Sequence, residues 1–322
     1  MEVILLCGFQ GSGKSHFTNN FPNAIIISND ITKDKAKSLK ILDENLSSDI
    51  KNQIIIDNTN LTQSMRKEFI DICKKYSKPI KCIYINSDLE DCQIRVLHRQ
   101  YETYQRLFLD KSKIDVKDSR VFPVATLFSA RKQLEKPVLE EGFTKIEILK
   151  VSKMDFSSYC NKAVFFDIDG TLRKTDHLPN KYPIKSDEVE LYKPKEQMMK
   201  TIQKYRSEGY LFCGVSNQSG ISKGILTEKE CIQCMDKVKE LLEFPEIEIK
   251  FCPHTSSPIT CYCRKPQSGL GMYFIEKYKI DPAKSIMVGD MTTDKTFALR
   301  LGMRFYNVDD FFVYYKKLIK IN

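Results

Sequence analysis

A chain of 322 residues exceeds what one hydrophobic core usually organises, so about two domains are expected. Its 42% hydrophobic and 29% charged residues are those of a globular protein, and a net charge of +9 fits a polyanionic partner as readily as a lysine-rich solvated surface. No apolar run approaches the roughly 18 residues of a membrane span, no basic leader opens the chain, and eleven cysteines, an odd number, argue against a disulfide framework; an intracellular setting, cytoplasmic or nuclear, is expected.

Val3 to Cys7 reads as a short buried strand running straight into Gly8-Phe9-Gln10-Gly11-Ser12-Gly13-Lys14-Ser15, the pattern G-x-x-x-x-G-K-[ST]. Gly8, Gly11 and Gly13 let the backbone close around an anion, so that amides of the loop, Ser12 included, and of the next helix hold phosphates. Lys14 then reaches the β- and γ-phosphates and the Ser15 hydroxyl holds Mg²⁺, which makes ATP and Mg²⁺ the expected ligands. A second strand, Ala24 to Ser28, delivers Asp30 to the same edge, placed to take a proton from an attacking hydroxyl. Ser-Asn-Asp equally reads as a cap for the lysine-rich segment that follows. A third strand, Ile54 to Ile56, ends in Asp57-Asn58-Thr59-Asn60, either a lining of that edge or a cap for a helix starting near Gln63. From Asp88 the pattern is helical, and Arg95 and Arg99, four apart, share one face. Two guanidiniums over a transferring phosphoryl group neutralise developing charge; a solvated basic face is the plain alternative.

In this order GFQGSGKS, ISND, IIIDNTNL, the two arginines and a closing RKQLEKPVLEEGF (Arg131 to Phe143) resemble the kinase domain of bifunctional polynucleotide kinase/phosphatases. The resemblance implies that Asp30 activates a polynucleotide 5′-hydroxyl while Lys14, Ser15, Arg95 and Arg99 serve ATP and the transition state. Phage-type members carry an arginine three residues after the base; this chain has Lys33, a point charge and not a bidentate fork. A first domain of 1–150 and a polar connector of 151–160 are expected before a second domain of 161–322.

In the second half the apolar run Val164 to Phe166 ends in Asp167-Ile168-Asp169-Gly170-Thr171. Side chains alternate along a strand, so Asp167 and Asp169 are expected on one side, one to attack and one to handle protons. A charged excursion to Pro194 and a helix from Glu196 to Glu208 follow. Further strands are read at Leu211 to Val215, entering Ser216-Asn217-Gln218-Ser219-Gly220, at a stretch reaching Phe251, and at Ser285 to Val288, entering Gly289-Asp290 with Asp294 beyond. Strands ending in polar groups and alternating with helices predict a doubly wound parallel sheet with one catalytic edge. The expected fold class is therefore α/β, with two doubly wound parallel-sheet domains.

DIDGT, SNQSG, Lys265 in RKP and GDMTTD resemble the haloacid-dehalogenase phosphohydrolases. The resemblance implies a P-loop kinase fold followed by a HAD-like fold, with little or no cap because the excursion is short. It makes Asp167 the nucleophile of an aspartyl-phosphate and Asp169 the acid that protonates the leaving alcohol and then activates water. Thr171, Ser216, Asn217 and Lys265 would hold phosphoryl oxygens, and Mg²⁺ would bridge Asp167, the Asp169 carbonyl and Asp290.

Cys252-Pro253-His254 and Cys261-Tyr262-Cys263 place four nitrogen or sulfur ligands in one short loop, a spacing suited to tetrahedral structural Zn²⁺; four reduced side chains without metal are the alternative. This loop resembles that of histidinol-phosphate and heptose-bisphosphate phosphatases. Thr293 to Phe305, running on to Phe312, instead resembles the end of animal polynucleotide 3′-phosphatase domains, while the kinase-first order is that of phage. The expected function is nucleic-acid end healing: phosphorylation of 5′-hydroxyl ends and removal of 3′-phosphates from DNA or RNA, leaving ends for a ligase. The competing expectations are a small-molecule kinase fused to a sugar- or histidinol-phosphate phosphatase, and a scaffold that binds ends without turnover.

Overall fold

In the computed structural model, which describes residues 2–32, 34–48 and 52–312, the run Val3–Cys7 (β1) is buried on both faces, as a strand with no polar position requires. Lys33 lies outside the described residues. Two units are present, Met1–Val96 with Asp115–Met154, and Leu97–Ile114 with Asp155–Asn322.

Unit 1 holds β1, α1 (Lys14–Thr18), β2 (Ile25–Ile27), α2 (Asn29–Thr32), α3 (Lys35–Ser47), β3 (Ile54–Ile56), α4 (Gln63–Lys75), β4 (Ile80–Asn86), the first turns of α5 (Leu89–Tyr104), α6 (Val124–Gln133) and β5 (Lys145–Lys150). Its sheet is parallel throughout, in the order β2-β3-β1-β4-β5, with Val3 paired to both Ile54 and Ile80. Alternation sorts the core. Val3, Leu5 and Cys7 pack with Leu42 and Leu46 of α3 and Phe69, Ile70 and Cys73 of α4, whereas Ile4 and Leu6 pack with Phe17 and Phe21 on the other face. Because the first strand sits in the middle, the chain leaves β1 toward both sides, and the crevice at its C-terminal end is where such sheets place ligands. Strands β4 and β5 carry no motif that announces them; β5 is an edge strand whose Lys145 and Glu147 pair at 3.0 Å on its surface.

Unit 2 is built the same way from β6 (Lys162–Phe166), α7 (Lys195–Ser207), β7 (Tyr210–Asn217), α8 (Glu228–Leu242), β8 (Glu248–Cys252), α9 (Gly269–Tyr278), β9 (Ile286–Gly289), α10 (Thr292–Leu301) and β10 (Arg304–Asn307), in the parallel order β10-β9-β6-β7-β8. Val164 and Phe166 face Met198 and Ile202 of α7 and Met235 and Val238 of α8. Phe165 turns the other way, onto Phe274 of α9, with ring centroids 5.8 Å apart. The expected α/β class with two doubly wound parallel sheets is what the chain adopts. Two details differ: β7 extends through Ser216 and Asn217, and β10 adds a strand after the last motif. Between Asp167 and Pro194 the described residues form a single 3₁₀ turn, Ser186–Glu188, and no α-helix.

The segment 97–114 is fastened within unit 2 by an ionic knot. His98 Nδ1 lies 2.7 Å from Glu276 Oε1, and the fully buried Glu276 also accepts from Tyr159 OH at 2.8 Å and Lys279 Nζ at 3.3 Å. The hydrogen bond to Glu276 holds the His98 imidazolium above its usual range, helped by Glu102 and opposed by burial and Lys279. A raised folded-state value stabilises the fold below the unfolded pKa of about 6.5, and that contribution is lost as pH rises through the folded value. Glu276, with its own pKa lowered, stays ionised across this window. The thermal midpoint of unit 2 should therefore fall by about 2–4 °C more in the wild type than in His98→Gln between pH 6 and pH 9, as expected for about 1 kcal/mol in a domain of this size. Parallel melting curves for the two proteins would dismiss the knot as a pH-sensitive element.

Candidate active sites and a candidate metal centre

At the end of β1 the backbone must reverse tightly. Gly11 and Gly13 take left-handed φ values of 75° and 105°, and a Cβ on Gly11 would stand 2.7 Å from the carbonyl oxygen of Cys92. Helix α1 begins at Lys14, so its unpaired first amides end in this loop. Lys14 Nζ donates to the carbonyls of Gly8 at 3.0 Å and Phe9 at 2.7 Å, and burial lowers its pKa against the charge of Asp57. Ser12 Oγ and Gln10 Oε1 are buried with no protein partner, polar atoms that phosphate oxygens or their hydration would satisfy. Ser15 is exposed at the loop's mouth.

Asp30 lies in α2, exposed, its amide donating to Ser28 Oγ at 3.2 Å, and its charge acts on both Lys14 and Asp57. Burial pushes the Asp57 carboxyl up, against the pull of Lys14. Arg95 is bound to backbone and loop: it donates to Gly11 O at 3.2 Å, Ser87 Oγ at 2.8 Å and Ser152 O at 2.9 Å. Arg99, one turn on, falls in unit 2, where its charge opposes the burial that raises the Tyr262 hydroxyl. Both arginines lie in α5, four residues apart as read, and Arg95 is the one tied to the P-loop.

Asp57-Asn58-Thr59-Asn60 works residue by residue. Asp57 stands beside Lys14, Asn58 Oδ1 accepts the Asn29 amide at 2.7 Å, Thr59 O accepts the Gly8 amide at 3.0 Å, and Asn60 Nδ2 donates to Leu6 O at 2.7 Å. Arg66 of α4 holds this turn from behind through Asn60 O, Leu61 O and Glu135 O, while its Nε and Nη2 form a bidentate pair with Glu141, both at 2.7 Å. The two segments IDNTNL and RKQLEKPVLEEGF are therefore one device. Asp57 was legible as the polar end of a three-isoleucine strand; nothing local marks Arg66.

In unit 2, β6 hands over Asp167, whose amide donates to Val288 O at 2.9 Å. Asp167 Oδ1 accepts from Lys265 Nζ at 2.6 Å, and the same ammonium lies 2.7 Å from Asp294 Oδ1. Lys265 is positioned by Asn217, which accepts its amide at 2.9 Å and donates to its carbonyl at 3.1 Å. Asp169 Oδ1 accepts from the buried Arg173 at 2.8 Å, and Oδ2 accepts from Ser216 Oγ at 3.2 Å and from Gln218 Nε2. Thr171 Oγ1 is buried without a partner, and Gly170, at φ 78°, packs so closely that a Cβ would stand 2.4 Å from Asp290 Oδ2. Sequence reasoning brought together Asp167, Asp169, Lys265 and Asp290. It did not assign Asp294, Arg173 or Gln218, of which only Asp294 carried a signal, the acid four residues after Asp290.

Burial pushes the Asp167 carboxyl up to about 8 despite Lys265, and burial and Asp294 raise Asp290. Fully ionised, the four carboxylates Asp167, Asp169, Asp290 and Asp294 outnumber by two the charges of Lys265 and Arg173 that pair with them. Asp167, Asp290 and Asp294 offer oxygens within 4.8 Å of one another, an all-oxygen set suited to Mg²⁺.

Cys252, His254, Cys261 and Cys263 also converge to within 4.8 Å. Cys252 Sγ is 3.7 Å from Cys261 Sγ, and His254 Nδ1 is 3.4 Å from Cys252 Sγ and 3.3 Å from Cys263 Sγ. Zn–S bonds of about 2.3 Å and a Zn–N bond of about 2.0 Å in a tetrahedron give edges of about 3.8 Å between sulfurs and about 3.5 Å from sulfur to nitrogen. The four donors fit that shape.

Residues 162–312 match the family model Polynucleotide kinase 3 phosphatase, and residues 3–123 match the model AAA domain. The D-glycero-beta-D-manno-heptose-1,7-bisphosphate 7-phosphatase of Haemophilus influenzae is 34% identical over 142 residues, covering 42% of this chain and 73% of the relative. The bifunctional polynucleotide phosphatase/kinase of Schizosaccharomyces pombe is 30% identical over 152 residues, 45% of this chain and 33% of that protein. Among solved structures, a fungal RNA kinase aligns with a TM-score of 0.35 and 14% identity, covering 48% of this chain and 39% of that one. With the acid, lysine and glycine positions of its second half in place around one sheet edge, residues 162–312 carry the match to the polynucleotide kinase 3 phosphatase model, and the chain is an enzyme that joins a phosphatase domain to a P-loop kinase domain.

Proposed function

We propose that the chain heals nucleic-acid ends inside the cell, phosphorylating a polynucleotide 5′-hydroxyl with ATP through residues 1–150 and hydrolysing a 3′-phosphate through residues 161–322. The observation that carries this is the presence, in one chain, of a P-loop with a carboxylate at the next strand end and of a match to the polynucleotide kinase 3 phosphatase family. The net charge of +9 suits a polyanionic substrate.

In the kinase site the loop amides cradle the phosphates of ATP, and Lys14 exchanges Gly8 O and Phe9 O for phosphoryl oxygens. Asp30 takes the proton of the 5′-hydroxyl as it attacks the γ-phosphorus, and Arg95 keeps the loop in shape through Gly11 O. In the phosphatase site Asp167 attacks phosphorus, the 3′-oxygen leaves, and Asp169, entering this step as the carboxylic acid, gives it that proton and becomes the carboxylate. Water, deprotonated by Asp169, then opens the aspartyl-phosphate. Arg173, Ser216 and Gln218 fix the Asp169 carboxylate for both proton transfers. Mg²⁺ would be held by Ser15 in one site and by Asp167, Asp290 and Asp294 in the other, where it would neutralise phosphoryl charge. Zn²⁺ would be held by Cys252, His254, Cys261 and Cys263 and would lock a loop with little core of its own. The resulting 5′-phosphate and 3′-hydroxyl are what a ligase consumes.

The identity to heptose-bisphosphate phosphatases favours a second reading, a sugar bisphosphate as substrate. Both are tested by offering the purified protein, with ATP and Mg²⁺, an oligonucleotide bearing a 5′-hydroxyl and a 3′-phosphate, and separately heptose-1,7-bisphosphate. End healing expects phosphate transfer to the 5′ end and release from the 3′ end, both weakening steeply with salt. Hydrolysis of the sugar alone, with both oligonucleotide ends untouched, would sink the proposal.

A further inference from the structure

The metal loop of unit 2 does not stand alone. Tyr262 N donates to Leu109 O at 2.8 Å, Asp110 pairs with Cys261 in an isolated antiparallel bridge, and a Cβ on Gly269 would meet Leu109 Cδ2 at 2.8 Å. On this backbone contact Asp110 Oδ2 reaches His254 Nε2 at 2.9 Å. His254 Nδ1 meanwhile points at Cys252 Sγ and Cys263 Sγ. An imidazole that donates its Nε2 proton to a carboxylate has its Nδ1 lone pair free for a cation. Asp110 is itself fixed, Oδ1 accepting from Ser112 N at 3.2 Å and Oδ2 from Ser112 Oγ at 2.8 Å. It lies within the stretch that matches the AAA domain and outside the phosphatase match, yet it packs in unit 2.

We infer that Asp110 is a positioning residue for the metal loop: it holds His254 in the Nε2–H tautomer, turned so that Nδ1 completes the cysteine cluster, and thereby raises the loop's affinity for Zn²⁺. A carboxylate behind a metal-binding histidine fixes the ring and increases its basicity, and losing it typically costs about 10–100-fold in affinity. The segment 97–114, read from sequence as part of the kinase half, thus supplies a working part of the phosphatase unit.

This rests on the zinc reading above, and the experiment separates the two. Zn²⁺ stoichiometry and affinity are measured on the full chain by competition with a chromophoric chelator, and the His254 tautomer by long-range ¹H–¹⁵N correlation, for wild type, Asp110→Ala, Asp110→Asn and Ser112→Ala. The expected result is one Zn²⁺ in the wild type, affinity about 10–100-fold lower in Asp110→Ala with mixed tautomers in the metal-free protein, and partial rescue in Asp110→Asn, whose amide oxygen still accepts from Nε2. Ser112→Ala, which removes one of the two hydrogen bonds that fix Asp110 but leaves its carboxylate in place, should lose less affinity than Asp110→Ala does. A wild type that binds no Zn²⁺ overturns the zinc reading and the inference with it. A wild type that binds Zn²⁺ while Asp110→Ala binds equally well, or while Ser112→Ala loses as much, overturns the role of Asp110 alone. If Asp110→Ala does not fold, Asp110→Asn decides: an affinity below the wild type's with mixed tautomers supports the inference, and an affinity and tautomer equal to the wild type's overturn it.

Discussion

Replacing Asp167 by asparagine should lower 3′-phosphate hydrolysis by about 10⁴-fold or more, the order seen when a covalent nucleophile is removed, while 5′-phosphorylation stays within about twofold of wild type. An amide oxygen cannot form the aspartyl-phosphate, so no change of pH or phosphate leaving group rescues the step. Asparagine is the informative substitution because Lys265 keeps Asp294 at 2.7 Å as a counter-charge, so the buried ammonium is not stranded. Asp30→Asn should do the reverse, lowering phosphorylation by about 10²–10⁴-fold, the usual worth of a general base, and sparing hydrolysis. One doubly labelled oligonucleotide reads both ends in a single reaction. Loss of both activities from either variant would dismiss the assignment of separate sites to Asp30 and Asp167, and full retention of hydrolysis in Asp167→Asn would remove Asp167 as nucleophile.

What could be read in advance was whatever a short stretch of chain determines by itself. The run Val3 to Cys7 into Gly8–Ser15 specifies a strand, a left-handed turn and a helix start through neighbours only, and the structure has them within a residue. The same holds for Phe166 into Asp167 and for Val288 into Asp290. Strands that run into no motif went unannounced: β5 alternates charge and apolar residues at an exposed edge, and β10 follows the last motif. Partnerships across long loops left no local trace. Arg66 and Glu141 are 75 residues apart, and Asp110 and His254 are 144 apart. In an α helix or a turn such residues look like ordinary surface charge, and only the packed sheet brings them together. The lone prior hint was indirect: the segment containing Glu141 and the turn supported by Arg66 both belonged to the stretch resembling polynucleotide kinases.

That pairing carries the second large effect. The side chains of Arg66 and Glu141 are 0% and 2% exposed, so neither charge has water as a substitute partner. Removing one partner of a buried pair strands the other and typically costs about 3–5 kcal/mol. Glu141→Gln leaves the guanidinium with its three carbonyl acceptors but no counter-ion. Arg66→Met leaves Glu141 ionised in a dry pocket and also unpairs Asn60 O, Leu61 O and Glu135 O, so it should be the worse of the two. The double variant Arg66→Met with Glu141→Leu removes both charges and should recover part of the loss, because the penalty lies in the unpaired charge rather than in the absence of the bond. The damage is expected to reach chemistry as well. Asn60 and Thr59 hold β1 and Gly8, and Asn58 holds the start of the Asp30 helix, so loosening this turn displaces base and phosphate loop relative to each other. Denaturant unfolding of unit 1 followed alongside 5′-phosphorylation tests this. Single variants within about 1 kcal/mol of wild type, or a double variant worse than either, would show that the pair is not what holds the turn.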